Sequence, residues 1–127
     1  MGAEQFGRGV VNDQFAENIS VDVQRNQANQ FDTDEASADV STGYETGEQN
    51  ISGAKEVSGI VNIQDSNDAD IEIEWTDGAG TVIASETPSE LQGITDQASF
   101  NFIVKSTHFN LKINGTSTNT AITVNAH

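Results

Sequence analysis

The chain has 127 residues, no cysteine and one proline, and it carries 20 Asp and Glu against 5 Lys and Arg, a formal net charge of -15. Such a field repels nucleic acid and anionic membrane, so neither is an expected partner. The missing cysteine excludes disulfides, thiolate metal sites and cysteine nucleophiles.

The length suits one domain. Hydrophobic residues make up only 35% of the chain, but they cluster, and a small sandwich can be closed with them. No apolar run approaches transmembrane length, and the start of the chain lacks the basic and apolar segments of a signal peptide. Phe6 also departs from a myristoylation motif. The acidic excess has two readings. It marks disorder, or it suits molar salt, where the Debye length falls to about 3 Å and self-repulsion is screened. The strand pattern after Val57 argues for the second.

Residues 1–14 hold three glycines and few anchors (Phe6, Val10, Val11) and read as an arm that docks on a partner. Residues 15–24 alternate: Ile19, Val21 and Val23 share one parity, Ser20, Asp22 and Gln24 the other, which predicts a first strand. Residues 25–41 are polar and read as a long loop. A short helix starting near Thr33 is the alternative, but the apolar stripe it needs is missing. Residues 42–46 form a short strand with Tyr44 facing in, and residues 47–50 a turn. A turn at 52–54 precedes a strand in which Val57, Gly59, Val61 and Ile63 share a face.

Residues 65–68 are a strong turn signal. The clearest stretch follows. Ala69, Ile71, Ile73 and Trp75 alternate with Asp70, Glu72 and Glu74, the period of a half-buried strand. Asp77, Gly78, Ala79 and Gly80 turn the chain, and residues 81–85 return as a hairpin partner. Pro88 sits in a loop that crosses between sheets or ends a hairpin. Phe100, Phe102 and Val104 share a strand face, as do Phe109, Leu111 and Ile113. Asn114 and Gly115 signal a hairpin turn, and Ile122, Val124 and Ala126 point inward on a last strand. Strands every eight or twelve residues, roughly, predict an all-β fold, a single antiparallel β-sandwich of about 7–8 strands. Jelly-roll and immunoglobulin-like connections give the same string. The expected division is an arm at 1–14 and a sandwich at 15–127, best defined at 57–126.

Candidate chemistry is thin. Asp65, Asn67, Asp68 and Asp70 are oxygen-rich, as are Asp32, Asp34 and Glu35, but the calcium-loop pattern fails for want of a glycine at its sixth position. Glu72 and Glu74 are about 7 Å apart on one strand face, in a run of outward acids rather than a cleft. His108 and His127 have no zinc-type spacing and no serine motif beside them. Gly78 and Gly80 lack the helix that a phosphate loop needs. The sequons at Asn18, Asn50 and Asn114 are a weak pattern in so Asn-, Ser- and Thr-rich a chain. Trp75, Phe100 and Phe102 share parity with aliphatic residues and belong in the core rather than in a sugar groove. Tyr44 is the aromatic freest to meet a partner. No catalytic residue, metal ligand or cofactor site is expected.

Residues 60–124 resemble small β-sandwich modules in virion proteins of tailed viruses. The residues that carry the likeness are the alternating strand ending in Trp75, the Thr-Asp-Gly-Ala-Gly turn at 76–80, the loop through Pro88 and Gly93, the Phe-Asn-Phe strand at 100–102, and the Phe-Asn-Leu-Lys-Ile-Asn-Gly close at 109–115. With the acid-rich, lysine-poor composition, the resemblance implies a virion structural protein of a virus infecting halophilic archaea, as a head decoration, turret or tail component. It implies a homo-oligomer in contact with major capsid or tail proteins. A carbohydrate- or cell-surface-binding module is the alternative, and an enzyme ranks last.

Overall fold

The computed structural model describes residues 30–127. In chain order the strands are β1 (Phe31–Ala38), β2 (Tyr44–Glu45), β3 (Gln49–Asn50), β4 (Glu56–Ile63), β5 (Ala69–Thr76), β6 (Val82–Glu86), β7 (Gln97–Ile103), β8 (His108–Gly115) and β9 (Thr120–Ala126). Two short 3-10 turns, Val40–Thr42 and Ser89–Leu91, complete the described elements.

The strands form two antiparallel sheets. Sheet I is four-stranded in the order β1-β9-β4-β7. Sheet II is five-stranded in the order β2-β8-β5-β6, with β3 pairing β8 beyond β2. Because β2 and β3 run along the same edge of β8, they act as one interrupted strand. The connections β1–β2, β3–β4, β4–β5, β6–β7, β7–β8 and β8–β9 cross between sheets, and β5–β6 is a hairpin within one. That order is a jelly roll. The predicted sandwich is therefore present, and the choice left open between two connectivities is decided.

The core lies between the sheets and follows the sequence parities. Sheet II contributes Ile71, Ile73, Trp75, Phe109, Leu111 and Ile113; sheet I contributes Val57, Val61, Phe100, Phe102, Ile122 and Val124. Trp75 is fully buried, the expected centre. Gly59 faces the core between Val57 and Val61, and the Phe100 ring fills the space it leaves. A Cβ on Gly59 would lie 2.0 Å from the Thr123 carbonyl oxygen and 2.6 Å from Phe100 Cζ. Tyr44 is half-buried against the core, and burial, with Glu35 nearby, raises the pKa of its hydroxyl.

Three expectations change. The loop predicted over 25–41 is a strand from Phe31 to Ala38, paired along β9. Its apolar alternation is short, and among the described residues β1 ends its sheet. Phe31 reaches the core, edge-to-face on Phe109 with centroids 5.7 Å apart, Thr33 is half-buried on the same parity, and Ala38 closes the far end, while residues 34–37 are exposed. The backbone ladder holds it there rather than an apolar stripe. Residues 47–50 are not all turn, since Gln49 and Asn50 rejoin β8. Asn114 and Gly115 do not make a hairpin; they end β8, and the chain crosses to sheet I through 116–119. Gly115 stands opposite Ala69, and a Cβ there would lie 2.4 Å from the Asp68 carbonyl oxygen, so the glycine serves a close backbone approach. The expected arm at 1–14 and strand at 15–24 lie outside the described residues.

Candidate functional site

The acids singled out in the sequence are placed in turns and ladders. The Asp65 carboxylate accepts from the backbone N–H of Thr118 at 2.9 Å and of Asn67 at 3.2 Å. Those donors, Thr118 foremost, hold its pKa down at about 2, from an ordinary 3.8. Asp68 accepts from Thr116 through both N–H and hydroxyl. The oxygen-rich turn thus ties the 64–68 loop to the 116–119 loop. Asp70 accepts from Gly93 N–H at 2.6 Å. Asp32, Asp34 and Glu35 lie along β1, where Asp34 accepts from the Thr123 hydroxyl. Among the described residues, no group of three or more His, Asp or Glu is placed to hold a metal ion.

Glu72 and Glu74 project from the outer face of sheet II opposite Lys112 and Asn110. Glu74 pairs with Lys112 at 3.3 Å and raises the lysine pKa. His108 opens β8, its Nδ1 2.8 Å from the Thr107 hydroxyl. The glycines of the β5–β6 turn do bind an anion, one belonging to the chain. Gly78 and Gly80 N–H donate to the Glu48 carboxylate at 3.0 and 3.1 Å. The Thr76 hydroxyl and these amides hold the Glu48 pKa low.

Two surfaces stand apart from this acidic exterior. The first is the lateral edge formed by β6 and β7. Each is the last strand of its sheet. Glu86, the one charged residue in the two strands, turns inward: its Oε2 accepts from Trp75 Nε1 at 2.7 Å and from Lys105 Nζ at 2.8 Å. Lys105 foremost, with the indole N–H, lowers the Glu86 pKa. The same bridge ties the segment after β7 to the end of β6 and so brings the two strands to one side of the sandwich. That side exposes Val82 at 47%, Ile83 at 60% and Ile103 at 68%. Isolated exposed aliphatics are ordinary; here they flank two strands that end their sheets among the described residues, Ile83 on the outer face of sheet II and Ile103 on that of sheet I, and such edges can take a further strand.

The second surface is a depression of about 480 Å³ on the outer face of sheet I. Strand register builds it from two rungs: Asn125, Ser58 and Asn101, then Thr123, Ile60 and Ser99. Gly59 and Phe100 form its floor. Its lining is uncharged, and Asn101 donates from its rim to Glu56. Sequence reasoning passed over both surfaces. An outward Ser or Asn on a strand looks like any solvated position, and which strands are edges is not written in a one-dimensional pattern.

No protein-family model matches the sequence, and no curated protein does. Solved structures with a similar chain path include one from Bacillus endospore appendages, described as disulfide-linked pili, at 17% identity over 79% of this chain and 83% of that one, TM-score 0.45. Another is the VP2 subviral particle of infectious bursal disease virus, at 14% identity over 79% of this chain and 30% of that one, TM-score 0.45. A third is the CBM22-1 xylan-binding domain of Xyn10C from Paenibacillus barcinonensis, at 13% identity over 79% and 81%, TM-score 0.36. None of them assigns a function to this chain.

Proposed function

We propose that the chain is a non-enzymatic structural protein that works through contacts with further copies of itself and with other virion proteins, as a capsid decoration, turret or tail component in high salt. The observation that carries the reading is the β6/β7 edge. In a chain with net charge -15, the two strands on this side carry no unpaired charge among the described residues and expose Val82, Ile83 and Ile103. Two strand edges with no partner among the described residues, flanked by aliphatic side chains, are a template for another chain. The residues that looked chemical support the same reading, because they hold turns and strand ladders together. The virion placement rests on the resemblance of residues 60–124, and the salt requirement on the acid excess.

Sedimentation of the full chain tests this. Assembly in molar salt that weakens in dilute buffer is the expected result, since screening removes the repulsion between like-charged copies. A monomer at every salt and protein concentration would overturn it. Co-purification with particles in high salt tests the virion placement separately.

The depression on sheet I favours a second reading, a carbohydrate- or surface-binding module. Its hydroxyl and amide rungs suit a neutral polyhydroxylated ligand, and its one aromatic, Phe100, lies in the floor. Titration with neutral oligosaccharides, followed by chemical shifts of the Asn101 and Asn125 side-chain amides, decides it. A flat response across a broad panel removes the reading.

A further inference from the structure

Asn114 and Gly115 form the one Asn-Gly pair in the chain. We infer that this pair is a self-modification site, where the Asn114 carboxamide closes on the Gly115 backbone nitrogen, and that the clasp between Asp68 and Thr116 sets the rate. The inference is independent of the assembly reading.

Strand register leaves both reacting groups available. Asn114 lies on the outward parity of β8, opposite Asp70, and is exposed. No described residue hydrogen-bonds its carboxamide. Ala69 spends both of its backbone groups on Ile94: its N–H donates to the Ile94 carbonyl at 2.9 Å, and its carbonyl accepts from Ile94 N–H at 2.8 Å. On its other side, Ala69 and Gly115 are therefore a non-hydrogen-bonded pair, and Asp70 and Asn114 are the bonded one. The Gly115 N–H points away from β5, and no described residue accepts it. Gly115 has no side chain to stand between its nitrogen and the neighbouring carboxamide.

The brake is the extended backbone. Attack requires the Asn114–Gly115 peptide to swing under the Asn114 side chain, and both neighbours of that peptide are pinned. Asn114 is paired to Asp70 before it. After it, Thr116 N–H donates to the Asp68 carbonyl at 3.0 Å and to Oδ1 at 3.1 Å. The Thr116 hydroxyl donates to the same Oδ1 at 2.8 Å and accepts from Asp68 N–H at 3.1 Å. Strand ends open locally more readily than strand centres. The reaction runs from that opened state, so its rate follows the release of the clasp.

The step balances with water as the one co-reactant. Gly115 N bonds to Asn114 Cγ, the Cγ–Nδ2 bond breaks, and ammonia leaves with the proton from the glycine nitrogen. Water then opens the cyclic imide at either carbonyl, giving an aspartate or an isoaspartate. Nothing is oxidised or reduced.

Either product strains this corner of the fold. A carboxylate at 114 stands across the rung from Asp70, and like charges directly opposite are destabilising. Isoaspartate also lengthens the main chain by a methylene where there is no room. A Cβ on Gly115 would already lie 2.4 Å from the Asp68 carbonyl oxygen. Conversion therefore loosens the crossing to sheet I at 116–119.

Ageing of the full chain in mildly alkaline buffer tests this, read by peptide mapping with fragmentation that separates aspartate from isoaspartate. In urea, which removes the clasp, Asn114 is expected to convert more than about tenfold faster than in the folded chain. In native buffer, Asp68→Ala is expected to speed conversion by about tenfold, and Thr116→Val, which keeps the N–H and loses the hydroxyl, by about fivefold. Far-UV circular dichroism checks the fold, and Thr116→Val alone decides the point if Asp68→Ala does not fold. The thermal midpoint of the wild type is expected to fall with ageing while that of Asn114→Gln holds.

Absence of isoaspartate at 114 in urea would overturn the site. Equal rates in urea and in the folded chain would overturn the clasp, as would a wild-type rate in Thr116→Val. A midpoint that falls equally in Asn114→Gln would overturn the loosening of the crossing.

Discussion

The two lateral sides of this sandwich are built by opposite rules. On one side, β1 lines its edge with Asp32, Asp34 and Glu35, and β2 adds Glu45. On the other, β6 and β7 carry only Glu86, drawn inward by Trp75 and Lys105. Among the described residues both sides end in a strand with one neighbour, yet only the first bears the charges that keep sheet edges from pairing. Acidity alone therefore does not describe the surface of this chain. Charge is withheld from one edge, and the indole of the core tryptophan holds the single carboxylate that would otherwise guard it.

The contrast can be broken most severely from within. Trp75→Ala is expected to destabilise the fold by about 3–5 kcal/mol, measured by denaturant unfolding, and to free Glu86 to face solvent on the open edge. A loss below about 1 kcal/mol would show that β6 does not depend on the indole. Gly59→Ala is the next largest. The added Cβ meets the Thr123 carbonyl and Phe100, so separation of β4 from β9 and movement of the ring are expected to cost about 1–3 kcal/mol, with the shape of the depression on sheet I altered as well.

Exchanging the rules of the two edges sharpens the comparison. Neutralising Asp32, Asp34 and Glu35 together to Asn, Asn and Gln is expected to produce larger, less regular assemblies by light scattering, because β1 then becomes a second open edge. Ala36→Lys, at an exposed position of the guarded strand, is expected to leave association unchanged and stability within about 0.5 kcal/mol. Equal effects of Ala36→Lys and Ile83→Lys on association would erase the distinction between the sides.

The smallest effect lies away from either edge, in acid. Asp65 has its pKa lowered to about 2 from 3.8. Its contribution to stability is complete above 3.8 and is lost as pH falls through the folded value. Thermal unfolding of Asp65→Asn is expected to show a flatter midpoint over that interval than the wild type. Parallel curves would mean that the tie between the 64–68 and 116–119 loops does not contribute.

Much of this fold was legible in one dimension. The period of two from Ala69 to Trp75 gave the strand, its buried face and the tryptophan at the centre, because burying one face of a pleated strand forces that alternation. The aspartates at 65 and 68 were correctly read as turn residues for the same kind of reason: a short carboxylate beside its own backbone amides is a local motif. The strand from Phe31 to Ala38 was not legible, since its inward parity begins with Phe31 and a polar Thr33 and residues 34–37 are exposed, which leaves no apolar face to reveal it. Asn114 and Gly115 misled, since a glycine required by the backbone of Asp68 is indistinguishable in sequence from one required by a hairpin.

What the sequence by itself determined is the class of fold, the members of the core and the acidic character of the exterior, all of which follow from residue type and spacing along the chain. What only the tertiary structure decided is the jelly-roll order, which of the described strands end their sheets, and the placing of Val82, Ile83 and Ile103 on two such strands whose one carboxylate, Glu86, is paired. Those depend on which strands pair across long separations, and a strand's own residues record the face it buries but not the neighbour it has or lacks.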